Sequence, residues 1–167
     1  DAIEWFGGTV NLTHAVLTNN DDDDIDFDEG YKGNIQYVIA RKNPTKPAPS
    51  GSNDPRGIEA NSADALYVPE TQGALANVLL LGGPLVNNAG STAGRQPGMR
   101  LRGAVNTFIY NTAVRGYDVG CVRIDDAKVG SSTFTSFVGL TNVPGECTGG
   151  FYATARTANS SVNSTRR

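Results

Sequence analysis

The sequence has few of the residues on which several common classes of site depend. Its one histidine, His14, has no second histidine and no serine or cysteine motif near it, so a catalytic triad is not expected. Two widely spaced cysteines are too few for a structural zinc site. The glycine pairs at 7–8 and 149–150 lack the rest of a nucleotide-binding loop, so neither a Walker nor a Rossmann motif is present.

The chain also has no long apolar run and no basic excess. Its longest apolar run, around 78–81, is far shorter than the roughly 20 residues that a membrane-spanning helix needs. The formal net charge of −3 argues against nucleic acid as the main partner, because phosphate binding needs a basic face. The sequence shows neither an initiator methionine nor a signal peptide, so we interpret it as a processed product or an excised segment.

No long stretch has the 3.6-residue period of a helix, whereas apolar and charged residues alternate repeatedly. Residues 25–28 (IDFD), between an acidic run and Gly30, are the clearest example. Strict alternation is typical of a strand with one buried and one solvated face. The 20 glycines indicate a chain that turns often. The predicted class is therefore all-β, and 167 residues are enough for one domain with a core.

The alternating segments form a repeat. They start at residues 3, 25, 58, 99 and 122, and the spacings of 22 and 23 residues suit one rung of a parallel β-helix, while 33 and 41 suit a rung with an insertion. A second set aligns as polar, inward, any, inward, and it starts at His14, Gln36, Asn77 and Asn111. Two sets in the same order predict a right-handed parallel β-helix (β-solenoid) of about five rungs. An antiparallel sandwich or barrel remains the alternative.

We predict one β-helix domain over residues 1–156, followed by a polar tail over 157–167. Three loops are expected to leave the walls, at 41–57, 62–74 and 83–98. These loops are either tolerated insertions or functional surfaces. Residues 133–138 are expected to form a further strand or a cap. The tail is either disordered or the polar start of a segment that continues.

The cysteines are compatible with an extracellular location. A disulfide between Cys121 and Cys147 suits an oxidising compartment, and two free thiols are the alternative. Asn11, Asn159 and Asn163 each begin an Asn-x-Ser/Thr triplet, which matters only if the source glycosylates proteins. We therefore expect a secreted or cell-surface protein.

The repeat resembles right-handed parallel β-helix proteins, the superfamily that includes pectate lyases and polygalacturonases. The resemblance covers roughly residues 3–126 and rests on rungs of about 22 residues, on Asn77 and Asn111 opening second strands, and on the Asp-rich turn at 21–28. The segments that look like secreted bacterial β-helix proteins are 30–37 and 98–103. The catalytic signatures of polygalacturonases and pectate lyases are not recognisable, so the resemblance implies a fold more than an activity.

Stacked rungs place equivalent outward residues about 4.8 Å apart on one face. The resulting stripe is acidic in the first rungs and basic in the last, and the predicted groove residues are Glu4, Asp26, Asp28, Glu59, Arg100, Arg102, Arg123 and Asp125. We expect cross-rung ion pairs of Glu59 with Arg100 and of Arg102 with Asp125. Either the stripe is a solvated face that keeps the sheet soluble, or it is a groove for an anionic or polyhydroxylated polymer such as a polysaccharide.

The acidic run is a candidate metal site. Repulsion among adjacent carboxylates favours a bound cation, and the predicted Ca²⁺ ligands are Asp21, Asp22, Asp23, Asp24, Asp26 and Asp28. The run lacks EF-hand spacing, and a solvated acidic turn is the alternative. The resemblance to lyases implies a second arrangement, in which Asp26, Asp28 and Glu59 hold Ca²⁺ while Arg100 or Arg102 acts as the base.

The aromatic residues divide into two groups. Trp5 and Phe27, like Leu101, fall on the inward side of the predicted strands and are assigned to the core. Tyr31 and Tyr67 fall in predicted turns or loops and are the candidates for stacking on a ligand.

The favoured interpretation is a non-catalytic extracellular β-helix module with a structural, self-assembling or glycan-contacting role. The first rung has no visible cap, so copies either stack end to end as filaments or the segment belongs to a longer solenoid. One alternative is a Ca²⁺-dependent polysaccharide lyase or another carbohydrate-active enzyme. Another is an adhesin or receptor-binding module that uses the loops at 41–57 and 83–98.

Overall fold

The computed structural model describes residues 1–43, 54–62, 69–83, 96–125, 137–152 and 161–165. The described strands are β1 (Ile3–Phe6), β2 (Leu12–Thr18), β3 (Ile25–Asp28), β4 (Asn34–Arg41), β5 (Ile58–Ser62), β6 (Ala74–Leu81), β7 (Met99–Gly103), β8 (Asn106–Tyr110), β9 (Ala113–Arg115), β10 (Val122–Ile124), β11 (Phe137–Thr141), β12 (Gly145–Glu146) and β13 (Ser161–Thr165). Within those ranges there is no helix of the length and apolar character that a membrane crossing requires.

Five of the strands form the first sheet, which is parallel throughout and has the order β1-β3-β5-β7-β10. Ile3, Ile25, Ile58, Met99 and Val122 occupy equivalent positions in these strands. These are the starting positions of the repeat that the sequence predicted. The prediction of five stacked rungs and its register are therefore confirmed for this sheet.

The other strands form a second parallel sheet, which bends along its length. β2, β4 and β6 each pass through a residue with positive φ at mid-strand: His14, Tyr37 and Asn77. The first half of β6 pairs with β8 and its second half pairs with β9, so the sheet divides on either side of the bend. Each rung thus has three strand segments around a common core, and the chain is a right-handed parallel β-helix as predicted.

Residues in the left-handed backbone conformation line the bend. Their alignment shows that one predicted register is wrong. These residues are His14, Tyr37, Asn77, Asn111 and Asn142, with φ between 46° and 60°. The prediction that Gln36 aligns with His14 is wrong by one residue. Thr13 pairs with Gln36, and the ring of His14 instead lies 4.8 Å from that of Tyr37. The polar side chain of Gln36 suggested the turn position, whereas the backbone places a bulky tyrosine there.

The core runs along the axis of the helix between the sheets. Phe27 and Leu101 are fully buried, as predicted, and the ring of the partly buried Trp5 stacks on Tyr31 at 5.0 Å. The prediction that Tyr31 is available to a ligand is wrong, because Tyr31 is fully buried and its hydroxyl donates a 2.7 Å hydrogen bond to the carbonyl of Val10. Tyr67 lies outside the described residues.

Parts of the predicted loops belong to the walls. Arg41 is the last residue of β4, Ser62 ends β5 and Ala74 begins β6. The remaining parts of the loops lie largely outside the described residues, at 44–53, 63–68 and 84–95.

The C-terminal part continues the same architecture. β11 contains residues 137 and 138 of the strand predicted at 133–138 and pairs with β8, while residues 133–136 lie outside the described ranges. The predicted disulfide joins Cys121 to Cys147 with a Cα–Cα distance of 5.5 Å. Residues 161–165 of the polar tail, for which disorder and a continuing segment were both left open, form β13 beside β11.

Candidate functional site

The outward side chains of the first sheet form the surface that we call the charged face. It consists of Glu4, Asp26, Asp28, Glu59, Arg100, Arg102, Arg123 and Asp125. Glu4, Asp26, Glu59, Arg100 and Arg123 lie side by side in successive strands. Their neighbours along each strand point into the core, because side chains alternate between the two faces of a strand. The predicted alignment of these charges is therefore confirmed.

Glu59 is the centre of the ion-pair network on this face. Its Oε1 lies 2.6 Å from Arg102 Nε and 3.7 Å from Arg100 Nη1, and its Oε2 accepts a 2.6 Å hydrogen bond from Arg56 Nη1. The side chain of Glu59 is about nine-tenths buried. The expected contact of Glu59 with Arg100 is confirmed, and the carboxylate is shared among three guanidinium groups.

Asp125 has different partners from the one predicted. Its Oδ2 accepts a 2.9 Å hydrogen bond from Arg100 Nε, and its Oδ1 accepts a 2.8 Å bond from Arg123 Nε. Arg102, the predicted partner, reaches Glu59 instead. In the strand pairing Arg102 lies beside Asn61, and its long side chain extends to the diagonal neighbour two residues earlier in β5.

Arg56 is a residue of the site that sequence reasoning missed. It directly precedes Gly57 and β5, inside the segment predicted as the first loop, yet its side chain is fully buried. Its guanidinium donates hydrogen bonds to Asp23 Oδ2 at 3.0 Å and to Asp54 Oδ2 at 2.5 Å, besides the one to Glu59. Only the unbalanced negative charge of the acidic run could have signalled that a cation from elsewhere in the chain lies beside it.

The acidic run is largely neutralised from within the protein. Asp24 is fully buried and pairs with Lys42, whose Nζ lies 3.1 Å from Asp24 Oδ1 and also donates to the carbonyl of Asp22. Asp22 Oδ1 accepts a 2.9 Å hydrogen bond from the backbone N–H of Asp54. Asp21 and Asp22 are half-buried. Two buried cations, Lys42 and Arg56, thus pair with two of the predicted Ca²⁺ ligands, Asp24 and Asp23.

Within the described ranges, three groups of acidic side chains lie close together: Asp1 with Asp22 and Asp23, Asp1 with Glu4 and Asp26, and Asp23 with Asp26 and Glu59. Ligand atoms of Asp23, Asp26 and Glu59 lie within 4.8 Å of one another, and we call these three residues the carboxylate trio. Asp28, another predicted ligand, instead accepts a 3.0 Å hydrogen bond from Asn61 Nδ2. Oxygen donors suit Ca²⁺, although Arg56 already binds both oxygens of Asp23 and one oxygen of Glu59. Calcium binding stays a prediction.

Burial raises the pKa of two members of the trio, Asp23 and Asp26. Burial, and then the charges of Glu59, Glu4 and Asp28, raise the pKa of Asp26 to about 7, against the opposing effect of Arg102. Burial likewise raises the pKa of Asp23, with Arg56 opposing it. Asp26 makes no ion pair with any residue in the described ranges. Its charge therefore changes near neutral pH.

Comparison with known proteins identifies the family of the chain, but it finds no individual protein that matches. No curated protein and no solved structure matches it. The model of the pectate-lyase-like beta helix domain matches residues 1–164. Together with the parallel sheets and the five stacked rungs, this match shows that the chain belongs to the pectate-lyase-like beta helix domain family.

Proposed function

We propose that the chain is a non-catalytic extracellular or cell-surface module that contacts an acidic or polyhydroxylated glycan through its charged face. The observation that carries this proposal is that two arginines each contact a carboxylate and still remain partly exposed. Arg102 and Arg123 are each held by a carboxylate through Nε, while 39% and 33% of their side chains remain exposed. A guanidinium fixed in this way keeps N–H groups for a ligand carboxylate or hydroxyl at little further entropic cost.

The ion pairs also favour binding over catalysis. Arg100 and Arg102, which the resemblance to lyases marks as candidate bases, both contact carboxylates. An arginine can remove a proton only after losing its own, and that loss would break up the ion pairs with Glu59 and Asp125. Their arrangement supports a role in holding a ligand.

The test is binding to soluble polysaccharides by affinity electrophoresis. We expect stronger retardation by polygalacturonate or alginate than by dextran, which has no carboxylate. Arg102→Gln and Arg123→Gln should each weaken the retardation about threefold or more, since a charge-assisted hydrogen bond is lost. Arg115→Gln is the matched control, because Arg115 pairs with Glu146 on a strand of the other sheet and is more exposed. The proposal is overturned if the wild type migrates equally in gels that contain polygalacturonate, alginate and dextran.

The second candidate is a Ca²⁺-dependent polysaccharide lyase. It is favoured by the carboxylate trio and by the pKa of Asp26, which burial raises to about 7. The assay is ultraviolet absorbance of unsaturated products from polygalacturonate and alginate, with Ca²⁺ and then with chelator. Product that depends on Ca²⁺ and disappears in Asp26→Asn would replace the non-catalytic proposal. Its absence from both substrates would count against the lyase.

Self-assembly is supported by the first rung. Phe6, Val10 and Val16 are exposed there, so a further rung from a second copy or from a longer solenoid could cover them. Light scattering should then show large species that Phe6→Ser and Val16→Ser reduce. A monomer at all concentrations would contradict assembly of copies. The adhesin alternative depends on loops that lie mostly outside the described residues, and it stays a prediction.

A further inference from the structure

A groove lies on the second sheet, on the outer face of the strand halves that precede the bend. Thr13, Gln36, Ala76 and Tyr110 occupy equivalent positions on four successive rungs. The residue just before each of the last three along its own strand, Ile35, Leu75 or Ile109, is fully buried in the core. The four aligned residues therefore face away from the core.

The groove exists because the third rung carries small side chains. Ala74 and Ala76 form its floor, Asn34 and Gln36 on the second rung form one wall, and Tyr110 on the fourth rung lies opposite. Two rung spacings separate these walls, which corresponds to about 10 Å between backbones. The enclosed volume is ≈ 400 Å³, within the range of small-molecule sites.

The lining is polar but uncharged. Asn11 Oδ1 accepts hydrogen bonds from the backbone N–H of Asn34 at 2.8 Å and from its Nδ2 at 3.2 Å, which fixes both amides at one edge. Within the described ranges, the Gln36 amide and the Tyr110 hydroxyl have no hydrogen-bond partner of their own. No lining residue carries a charge at neutral pH. The groove thus offers donors, acceptors and a half-exposed aromatic ring without a countercharge.

We propose that this groove binds an uncharged sugar unit of a glycan. A pyranose has an apolar C–H face, which suits the ring of Tyr110, and hydroxyls at its edge, which suit the amides of Asn34 and Gln36. The alanine floor lets the sugar approach the backbone closely. A uronate is disfavoured, because its carboxylate would lose water without gaining a cation.

The groove is distinct from the charged face in position and in the ligand that it selects. It lies on the second sheet and takes a neutral sugar, whereas the charged face lies on the first sheet and offers guanidinium groups to the carboxylates of an acidic glycan. Arg102→Gln should therefore weaken binding of polygalacturonate, and Tyr110→Ala should weaken binding of a neutral tetrasaccharide, so a failure of either proposal can be recognised separately.

The experiment is saturation-transfer NMR and calorimetry with neutral tetrasaccharides of glucose, xylose, mannose and galactose, using bacterially produced protein so that Asn11 carries no glycan. At least one should bind. Tyr110→Ala should weaken binding by about two- to tenfold, since it removes the stacking surface. Ala76→Tyr should abolish binding by filling the groove. Ala76 faces outward, so this change is not expected to disturb the core.

Tyr37→Asn is the control for loss of an exposed tyrosine. Tyr37 is exposed to a similar degree as Tyr110, 48% against 41%, but it does not line the groove. Asparagine is also the residue that occupies the equivalent turn position in three later rungs. Tyr37→Asn should bind like the wild type. Failure of all four tetrasaccharides to bind, or undiminished binding by folded Tyr110→Ala and Ala76→Tyr, overturns the proposal.

Discussion

Lys42 and Asp24 form an ion pair inside the β-helix, with Nζ 3.1 Å from Oδ1 and side chains 2% and 0% exposed. Burial lowers the pKa of Lys42 and raises that of Asp24 to about 6, and each partner opposes the shift of the other. The pairing therefore keeps each group closer to its charged form than burial alone would. Because a buried pair already costs desolvation, the large effect on stability comes from removing one partner alone.

Lys42→Met should lower the free energy of unfolding by about 3–5 kcal/mol at pH 8, since it leaves Asp24 buried without its cation. The loss should be smaller at pH 5, where Asp24 can take up a proton. The measurement is urea denaturation at both pH values. Lys42→Met with Asp24→Leu should recover most of the stability. Lys32→Met is the control, because Lys32 is exposed. A loss no larger than that of Lys32→Met would disprove the expected role of the pair.

Asp26 should make the stability fall as the pH rises. Its pKa is raised from 3.8 to about 7 in the folded state, so between these values the folded protein holds a proton that the unfolded chain has lost. The contribution is present below about pH 4 and is lost as the pH rises through about 7. Asp26→Asn should therefore raise the free energy of unfolding by on the order of 1 kcal/mol at pH 8, a value reduced by solvent screening. At pH 4 it should have little effect.

The pKa of Asp26 can be measured directly by carbon NMR of its carboxyl group. Glu4→Gln should lower it, because the charge of Glu4 is one of its causes. Glu29→Gln is the control, since Glu29 is exposed and is not among the groups that raise this pKa. An Asp26 that titrates near its ordinary value in the wild type would contradict the expectation.

Asparagine at the bend should make the protein more stable than alanine does at the same position. Asn142 Nδ2 donates a 2.8 Å hydrogen bond to Asn111 Oδ1, and both residues have positive φ. Asn111→Ala loses the bond and strains the backbone, for a cost of about 1–3 kcal/mol. Asn111→Gly also loses the bond, but glycine adopts positive φ without strain, so its cost in stability should be smaller. Thermal and urea denaturation measure the stability of the wild type and of both variants. An alanine variant as stable as the glycine variant would contradict the expectation.

The disulfide should stabilise the last rungs. Cys121 and Cys147 are 26 residues apart, and closing such a loop contributes about 2–4 kcal/mol. Cys121→Ala with Cys147→Ala should lower the urea midpoint, and dithiothreitol should do the same to the wild type but not to the variant. A midpoint in the wild type that does not respond to reductant, with reduction verified by mass, would count against this stabilisation.

Local alternation was enough to predict the first sheet. Its side chains repeat every two residues, so Ile25, Ile58 and Met99 could be aligned without knowledge of the rest of the chain. The same rule placed Glu59 beside Arg100. It failed in the second rung, where the backbone turns at Tyr37 instead of Gln36. A turn position depends on φ, and the polarity of a side chain is only an indirect sign of φ.

The sequence by itself determined the all-β class, the rung repeat, the charged face and the cysteine pair, because alternation and spacing follow from local geometry. Only the tertiary structure decided which charges neutralise one another. Lys42 and Arg56 lie within a predicted loop, and no local pattern shows that they enter the interior beside Asp24 and Asp23. The neutral groove is equally non-local, because Ala76 becomes a floor only when Gln36, 40 residues earlier, and Tyr110, 34 residues later, are stacked on either side of it.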